Sequence, residues 1–437
     1  MLRVSEPWRN WAGTVVAHPS EVRHATTADE VATAVVDAGR RGTEVRVAGS
    51  GHSFTPLVAT DGLLLHLDGL SGIVAVDAEQ RRVGVLAGTP LSVLNPALQA
   101  VGLALPNLGD IDRQTISGAI ATGTHGTGVR FQGIAAAVSG LTLVLADGSS
   151  MSCSAETEPE VFAAARVGLG ALGVVTEVEL QCVPAFRLHA KEAGESLDAL
   201  LPHLHREADA HDHLDLHWFP HTDRVLVKRN DRVPPGEGPG PLARWRATLD
   251  DDLLANRVFE AANRLATAVP HLVPRMNRLT ARGLGAREFA DDSWRVFCSS
   301  REVCFVESEY ALPRDSVEAV LRELRAWFTR TAAPVPFPVE VRFLASDDIW
   351  LSTAHGRDSA YVAVHQYHRM DSGPLFGAFE AIVREHVGRP HWGKVHSLGA
   401  DRLGDLYPRF DDFREVRNRL DPERRFTNAH VRHLLGD

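Results

Sequence analysis

The sequence predicts an α+β protein of two domains, and three observations carry that expectation. At 437 residues the chain exceeds the size at which a single hydrophobic core usually stops growing. Its first part is a run of short β-like segments and isolated helices around two glycine-rich stretches, with no internal repeat. Around Pro184 the character shifts, and from there to about residue 380 the chain reads as another unit. That unit contains the Pro/Gly-rich stretch Pro234-Pro-Gly-Glu-Gly-Pro-Gly-Pro241, which reads as a mobile surface loop.

In chain order, Thr27-Ala-Asp-Glu30 is a capping box that opens a helix through about Arg40, with Val31, Val35 and Ala38 on one face and Gly39 and Gly42 at its end. Short β-like runs follow at Val45–Ala48, Leu63–Leu67, Ile73–Val76 and Val83–Leu86. The first of them breaks into Gly49-Ser-Gly-His52, where glycines permit positive φ and close approach of a ligand to main-chain N–H groups. This is a phosphate-binding signature. It is not the dinucleotide fingerprint of a Rossmann fold, although Asp68 stands about where a ribose-binding acid would be. Phe54 occupies the place of the third glycine, and Pro56 and Asp61-Gly62 break any helix that would follow.

Pro90–Ala100 is a second helix, and Leu103–Pro106 leads to the second glycine-rich run, Ile116–Gly128. Two such stretches in one domain imply a long diphosphate ligand and place His52 where an imidazole could meet it, while His125 reads equally well as a ligand contact or as a packed histidine ordering its loop. Leu141–Ala146 is a strand ending in the hairpin signal Asp147-Gly148, and Val167–Gly173 feeds a strand at Val174–Leu180. Gly168 and Gly170 read equally well as close backbone packing or as ligand contacts. Further on, Ser316–Phe328 is an amphipathic helix with Val317, Val320, Leu321, Leu324 and Phe328 facing a core. Val339–Phe343 and Tyr361–Tyr367 are alternating strands, so Glu340 and Arg342 share one face and His365 and Tyr367 another. On the residues alone these are two half-exposed strands with a surface ion pair.

Composition excludes several classes. A formal net charge of −10 argues against general nucleic-acid affinity and offers nothing to an anionic membrane. The N-terminal residues 1–10 lack the apolar stretch of a signal peptide and no segment has the length to span a bilayer, so a soluble cytoplasmic protein is expected. Cys153, Cys182, Cys298 and Cys304 show no Cys-x-x-Cys spacing and are expected to be reduced and structural. The histidines show no paired-ligand spacing, so no metal site is expected.

Taken together, Ala48-Gly-Ser-Gly-His-Ser-Phe54, Ala121-Thr-Gly-Thr-His-Gly-Thr-Gly128, Glu340-Val-Arg342 and Arg389-Pro-His-Trp-Gly-Lys394 resemble the vanillyl-alcohol-oxidase superfamily, in its branch of sugar-1,4-lactone and alditol oxidoreductases. The resemblance runs nearly end to end. It implies a PCMH-type FAD-binding fold: an FAD-binding domain over residues 1–184, an inserted α+β substrate (cap) domain over 185–385, and a segment 386–437 that returns to the FAD domain. By that resemblance His52 carries FAD covalently through the flavin 8α-methyl group. Ala48, Gly49, Ser50, Gly51, Ser53, Phe54, Gly109, Asp110, Ser117, Gly118, Ala121, Gly123, Thr124, His125, Thr127, Gly173, Val175 and Lys394 would contact the cofactor.

The reaction implied is hydride transfer from a C–H(OH) carbon to flavin N5. The resemblance makes Glu340, Arg342, His365 and Lys394 catalytic, with Arg342 and Lys394 supplying positive charge against the reduced flavin. The proton acceptor is left open among Glu340, Arg342 and water. Asp110, Glu340, Arg342, His365, Tyr367, His391 and Lys394 would line the substrate site. Asp110 and Tyr367 stand where an alditol oxidase has a serine and a threonine, which favours a sugar lactone over a polyol. Gly109 stands where this family gates dioxygen, so O2 is the expected acceptor, the alternative being a lactone dehydrogenase that uses another electron acceptor.

Overall fold

The computed structural model describes residues 6–234, 236–242, 256–299 and 302–437. Residues 1–5 of the N-terminal stretch and Pro235 of the Pro/Gly loop lie outside the described residues.

The capping box sets the first helix, Ala28–Arg40. Thr27 accepts from the Glu30 N–H as N-cap, while the Glu30 carboxylate reaches back one residue further than expected, to Thr26 N at 2.7 Å. Its buried face, Val31, Ala34, Val35 and Ala38, packs with Val45, Leu63 and Leu65. Those three come from a parallel three-stranded sheet in which Leu63–His66 lies between Glu21–His24 and Val45–Ala48. An antiparallel five-stranded sheet stands beside it, in the order Ser150–Ser154, Val138–Val144, Val174–Gln181, Arg82–Leu86, Ile73–Asp77. The Asp147-Gly148 turn joins the first two of these strands, with Gly148 at φ +84°.

The remaining architecture is an eight-stranded antiparallel sheet. Its order is Arg287–Asp292, Arg187–Ser196, Arg224–Val233, His213–Trp218, Val339–Leu344, Ser359–Tyr367, Phe305–Pro313, Arg389–Pro390. The helix Val317–Thr331 covers it with the five apolar residues that its spacing singled out, all of them buried. Both strands read as half-exposed, Val339–Leu344 and Ser359–Tyr367, are buried along their whole length. The polar face of this sheet is therefore turned inward, toward the glycine-rich turns.

The last residues come back to the first sheet. Phe426 joins the small core under the first helix. Arg425 donates to the carbonyls of Ala38, Gly39 and Thr43, and Val45 N donates to Arg425 O at 2.8 Å. Buried Arg46 ties four segments together by donating to the carbonyls of Leu57, Leu169, Gly170 and Phe426. These bonds use a cation's donors to satisfy backbone acceptors that water cannot reach. No helix of the described residues is long and apolar enough to cross a membrane.

Candidate active site

One face of the large sheet forms the floor of a cavity of about 310 Å³. Strand register explains what meets there. Glu340 lies opposite His217 on one side and Ala363 on the other, Ala363 lies opposite Glu309, and Glu307 lies opposite His365. Directly paired side chains on one face stand close enough to interact, and Ala363 leaves room between them.

Two buried charge clusters result. In one, Arg342 contacts Glu340 directly, with Asp110 at 3.4 Å and Asp215 at 3.7 Å. His217 lies 3.2 Å from Asp215 and 3.9 Å from Glu340. In the other, Lys394 contacts Glu307 directly, His365 Nε2 is 3.5 Å from the second Glu307 oxygen, and His125 Nε2 is 3.3 Å from Glu309. Burial raises the Glu340 carboxyl above its ordinary range, with Asp215 and Asp110 adding to the effect and Arg342 opposing it. For Glu307 burial acts in the same direction, but Lys394 and His365 outweigh it and hold the carboxyl low. Burial alone would weaken the Lys394 ammonium, yet Glu307 and Glu309 leave it more firmly protonated than an ordinary lysine. Arg342 is likewise held charged against burial by Glu340, Asp110 and Asp215.

The opposite wall is the first glycine turn, with His52, Ser53 and Phe54, together with Gly109, Thr124, His125 and His391. Phe54 N donates to Gly393 O at 2.7 Å and the Thr55 hydroxyl to Trp392 O at 3.2 Å, which lock the Arg389–Lys394 segment to that turn. His52 stacks on Trp11 at 5.3 Å. Burial first, then Lys394 and Arg113, lower its pKa to about 4, so its ring is neutral near pH 7.

A second cavity adjoins the first, since His52, Ser53, Gln114 and Thr122 line both. It runs between Gly49, Ser50 and Gly51 and the start of the second glycine-rich run at Ser117 and Gly118, and on to Gly168, Gly170, Gly173 and Val175. The first half of that run is a short helix, Ile116–Ala121, rather than a loop, because the Thr115 side chain caps it on Gly118 N. The passage fits FAD on grounds of its own. Gly51 has φ +72°, and a Cβ on Gly49 would lie 2.7 Å from Thr115 Oγ1, so the groove tolerates no side chain there. Buried Gln114 Oε1, at the junction, has no donor among the described residues and is available to a ligand.

Most of the expected residues converge on these two cavities. Glu340, Arg342, His365, His391, Lys394, Gly109, Asp110, Phe54, Thr124 and His125 line the first, His52 and Ser53 line both, and Gly49, Ser50, Gly51, Ser117, Gly118, Ala121, Gly173 and Val175 line the second. Four do not. Tyr367 is buried with its hydroxyl donating to Glu260 at 2.8 Å, one step past the cavity along its strand. Thr127 donates to the Leu214 carbonyl and accepts from Phe343 N at 3.1 Å, so it fastens the glycine-rich run to the large sheet. Ala48 ends its strand beneath the turn, and Gly123 faces a small pocket behind His125. Asp68 pairs with His24 at 3.0 Å at the surface.

The sequence reading missed Glu307, Glu309, Asp215 and His217. Their signal was there: Phe305-Val-Glu-Ser-Glu309 alternates as Val339–Phe343 does. It also missed that His and carboxylate atoms from separate segments of the chain come within 4.8 Å of one another, as in Asp215/His217/Glu340, Glu307/Glu340/His365 and His125/Glu309/His391. Sequence spacing cannot show such groups. In the first two, Arg342 and Lys394 already provide the positive charge that a metal ion would.

Residues 178–434 match the D-arabinono-1,4-lactone oxidase family and residues 19–154 an FAD-binding domain. The chain is 41% identical over 433 residues to an L-gulono-1,4-lactone dehydrogenase of Mycobacterium tuberculosis, covering 99% of this chain and 100% of that one. It is 34% identical to the L-gulonolactone oxidase of Bos taurus, covering 97% of each chain, and 35% identical to an alditol oxidase of a Streptomyces species, covering 98% of each. A cholesterol oxidase from B. sterolicum shares the fold, with a TM-score of 0.82 at 18% identity over 98% of this chain and 96% of that one. With matching sequence along its whole length and a groove built to take FAD, the chain belongs to the D-arabinono-1,4-lactone oxidase family of FAD-dependent oxidoreductases.

Proposed function

We propose that the protein oxidises a C–H(OH) group of a sugar 1,4-lactone of the gulono or arabinono type. The observation that carries this reading is the convergence of Glu340, Arg342, His365 and Lys394 with His52 on one cavity, continuous with the FAD groove. FAD bound in that groove supplies the acceptor for the two electrons. Oxidation of the carbinol also releases its hydroxyl proton, and Glu340, made more basic by burial and by Asp215 and Asp110, is suited to take it. Arg342 and Lys394 supply fixed positive charge where negative charge accumulates, in a setting too dry to screen it. Asp110 orients the sugar's hydroxyls from the facing loop. In this reading residues 1–184 and 386–437 hold FAD and 185–385 cover the substrate.

FAD would be joined to His52 in this proposal: a neutral imidazole beside the groove offers a nucleophilic nitrogen to replace a C–H bond of the flavin 8α-methyl group, the methyl and imidazole protons leaving while the flavin itself takes up the two electrons. Dioxygen is the electron acceptor, admitted beside Gly109. The compartment is the cytoplasm, in keeping with four cysteines that form no disulfide. Acid precipitation should leave yellow colour on the wild-type protein and release it from His52→Ala; colour that washes off the wild type rules out the covalent link.

The alditol reading rests on the Streptomyces relative, which is as similar as the animal lactone oxidases. An anaerobic screen of aldono-1,4-lactones and alditols, following flavin absorbance, decides between them. Bleaching by lactones and not by alditols is the expected result, and the reverse would overturn the lactone assignment.

A further inference from the structure

We infer that Glu307 is a positioning residue that fixes Lys394 and the His365 ring in the wall of the cavity that adjoins the FAD groove. The inference rests on the FAD reading above. Both oxygens of this carboxylate are committed: Oε2 contacts the Lys394 ammonium and Oε1 lies 3.5 Å from His365 Nε2. The far side of the His365 ring is fixed by Nδ1, 3.2 Å from the Pro338 carbonyl. Glu307 is 4% exposed, so these contacts are largely shielded from bulk water. Its backbone is anchored as well, since Val395 N donates to Glu307 O at 2.8 Å. One strand residue thus sets two groups that the cavity presents from different elements.

Charge makes the arrangement more than packing. Lys394 lies in a partly buried site where an unpaired ammonium would tend to lose its proton. Around it stand Glu307 and Glu309 from their strand, Asp110 from the facing loop, His365 from the neighbouring strand, His52 from the first glycine turn and His391 from its own segment. Among the described residues Glu307 is the carboxylate that contacts the ammonium directly, and the Phe54 ring lies 5.3 Å from it. Removing its charge has two consequences of opposite sign. At neutral pH the lysine, still protonated, acts on its surroundings without a counter-ion beside it and favours a reduced, negatively charged flavin. At alkaline pH the same lysine loses its proton earlier than in the wild type, and that advantage disappears.

The test is a dye-equilibration redox titration of the purified, flavin-loaded enzyme at pH 6 to 9.5, for wild type, Glu307→Gln, Lys394→Met and the double variant. Glu307→Gln should have a higher flavin midpoint potential than wild type at neutral pH and should fall more steeply with rising pH. In the Lys394→Met background the same substitution should produce no such effect, because the two residues act as one unit. Flavin reduction by substrate in Glu307→Gln should slow about tenfold or more between pH 7 and 9, on the scale of losing one charge interaction, while the wild type stays nearly level. Should Glu307→Gln fail to fold, Glu307→Asp, which keeps the charge but shortens its reach, should show the same trends in smaller measure. A loaded variant whose potential parallels the wild type at every pH, or an equal shift with and without Lys394, would overturn the positioning role alone. A wild-type protein that binds no flavin would overturn the FAD reading and this inference with it.

Discussion

Arg342 and Glu340 sit two residues apart on one strand and touch, so their variants should separate two roles. Arg342→Ala removes a buried cation from among Glu340, Asp110 and Asp215 and should slow flavin reduction by about a hundredfold or more. Glu340→Gln keeps the volume and should lower the rate while flavin content stays normal. Rapid-mixing absorbance under anaerobic conditions reads both, and near-normal rates would remove the pair from the reaction. Gly109 is a narrower case. It does not adopt a positive φ, so the turn does not require glycine, and a Cβ there would lie 3.1 Å from the His125 carbonyl and 3.4 Å from the Thr124 methyl. An alanine therefore fits with a shift of a few tenths of an ångström and closes the seam between two loops. Gly109→Ala should leave substrate reduction intact and slow reoxidation by dioxygen, measured by mixing reduced enzyme with oxygenated buffer; unchanged reoxidation would take the gate away from this residue.

Elements show why some of this was legible in the sequence and some was not. Local signals worked where the cause is local: Thr27 at a helix start, Gly51 at a turn, and the alternation of Val339–Phe343 each express a backbone or solvent requirement carried by neighbouring residues. The same alternation misled about exposure. Glu340 and Arg342 look like a solvated face, and only the closing of a second layer over the sheet buries them. Glu307 and Glu309 escaped notice for the same reason, since acids on a strand normally mean water. Arg46 is a further instance: as a charged residue in a short strand it reads as exposed, yet it is 3% exposed and bonds four carbonyls. Arg46→Met should leave those acceptors unpaired and cost about 3 kcal/mol or more. Thermal melting and flavin retention check this, with Arg46→Lys recovering only part because one ammonium cannot reach all four. A melting temperature unchanged in Arg46→Met would mean the staple carries no weight.

Across the whole molecule, burial keeps several histidines neutral. It lowers His213, His396 and His430 to about 4 and His391 to about 3. A histidine whose folded pKa lies below its unfolded value contributes stability that is complete above about pH 6.5 and is lost as the pH falls toward the folded value. Glu307, Glu309 and Asp215, held low by their cations against burial, add a loss in the same direction at still lower pH. The melting temperature should therefore hold near neutrality and drop progressively from about pH 6.5 to 4. A flat profile over that range would show that these rings find water or partners in solution.

The bond from Arg46 to Phe426 spans 380 positions of chain. On a ribosome the first sheet is finished only after residue 426 has been made, because until then its small core lacks Phe426 and its arginine lacks one of its four acceptors. The glycine turn that leaves this sheet must wait through the synthesis of everything between, and long-range closures of this kind are slow to form. Trimming the final dozen residues should thus behave as a defect at the beginning of the protein: the nascent N-terminal half would be exposed to proteases, while the large sheet, complete by Pro390, could still assemble.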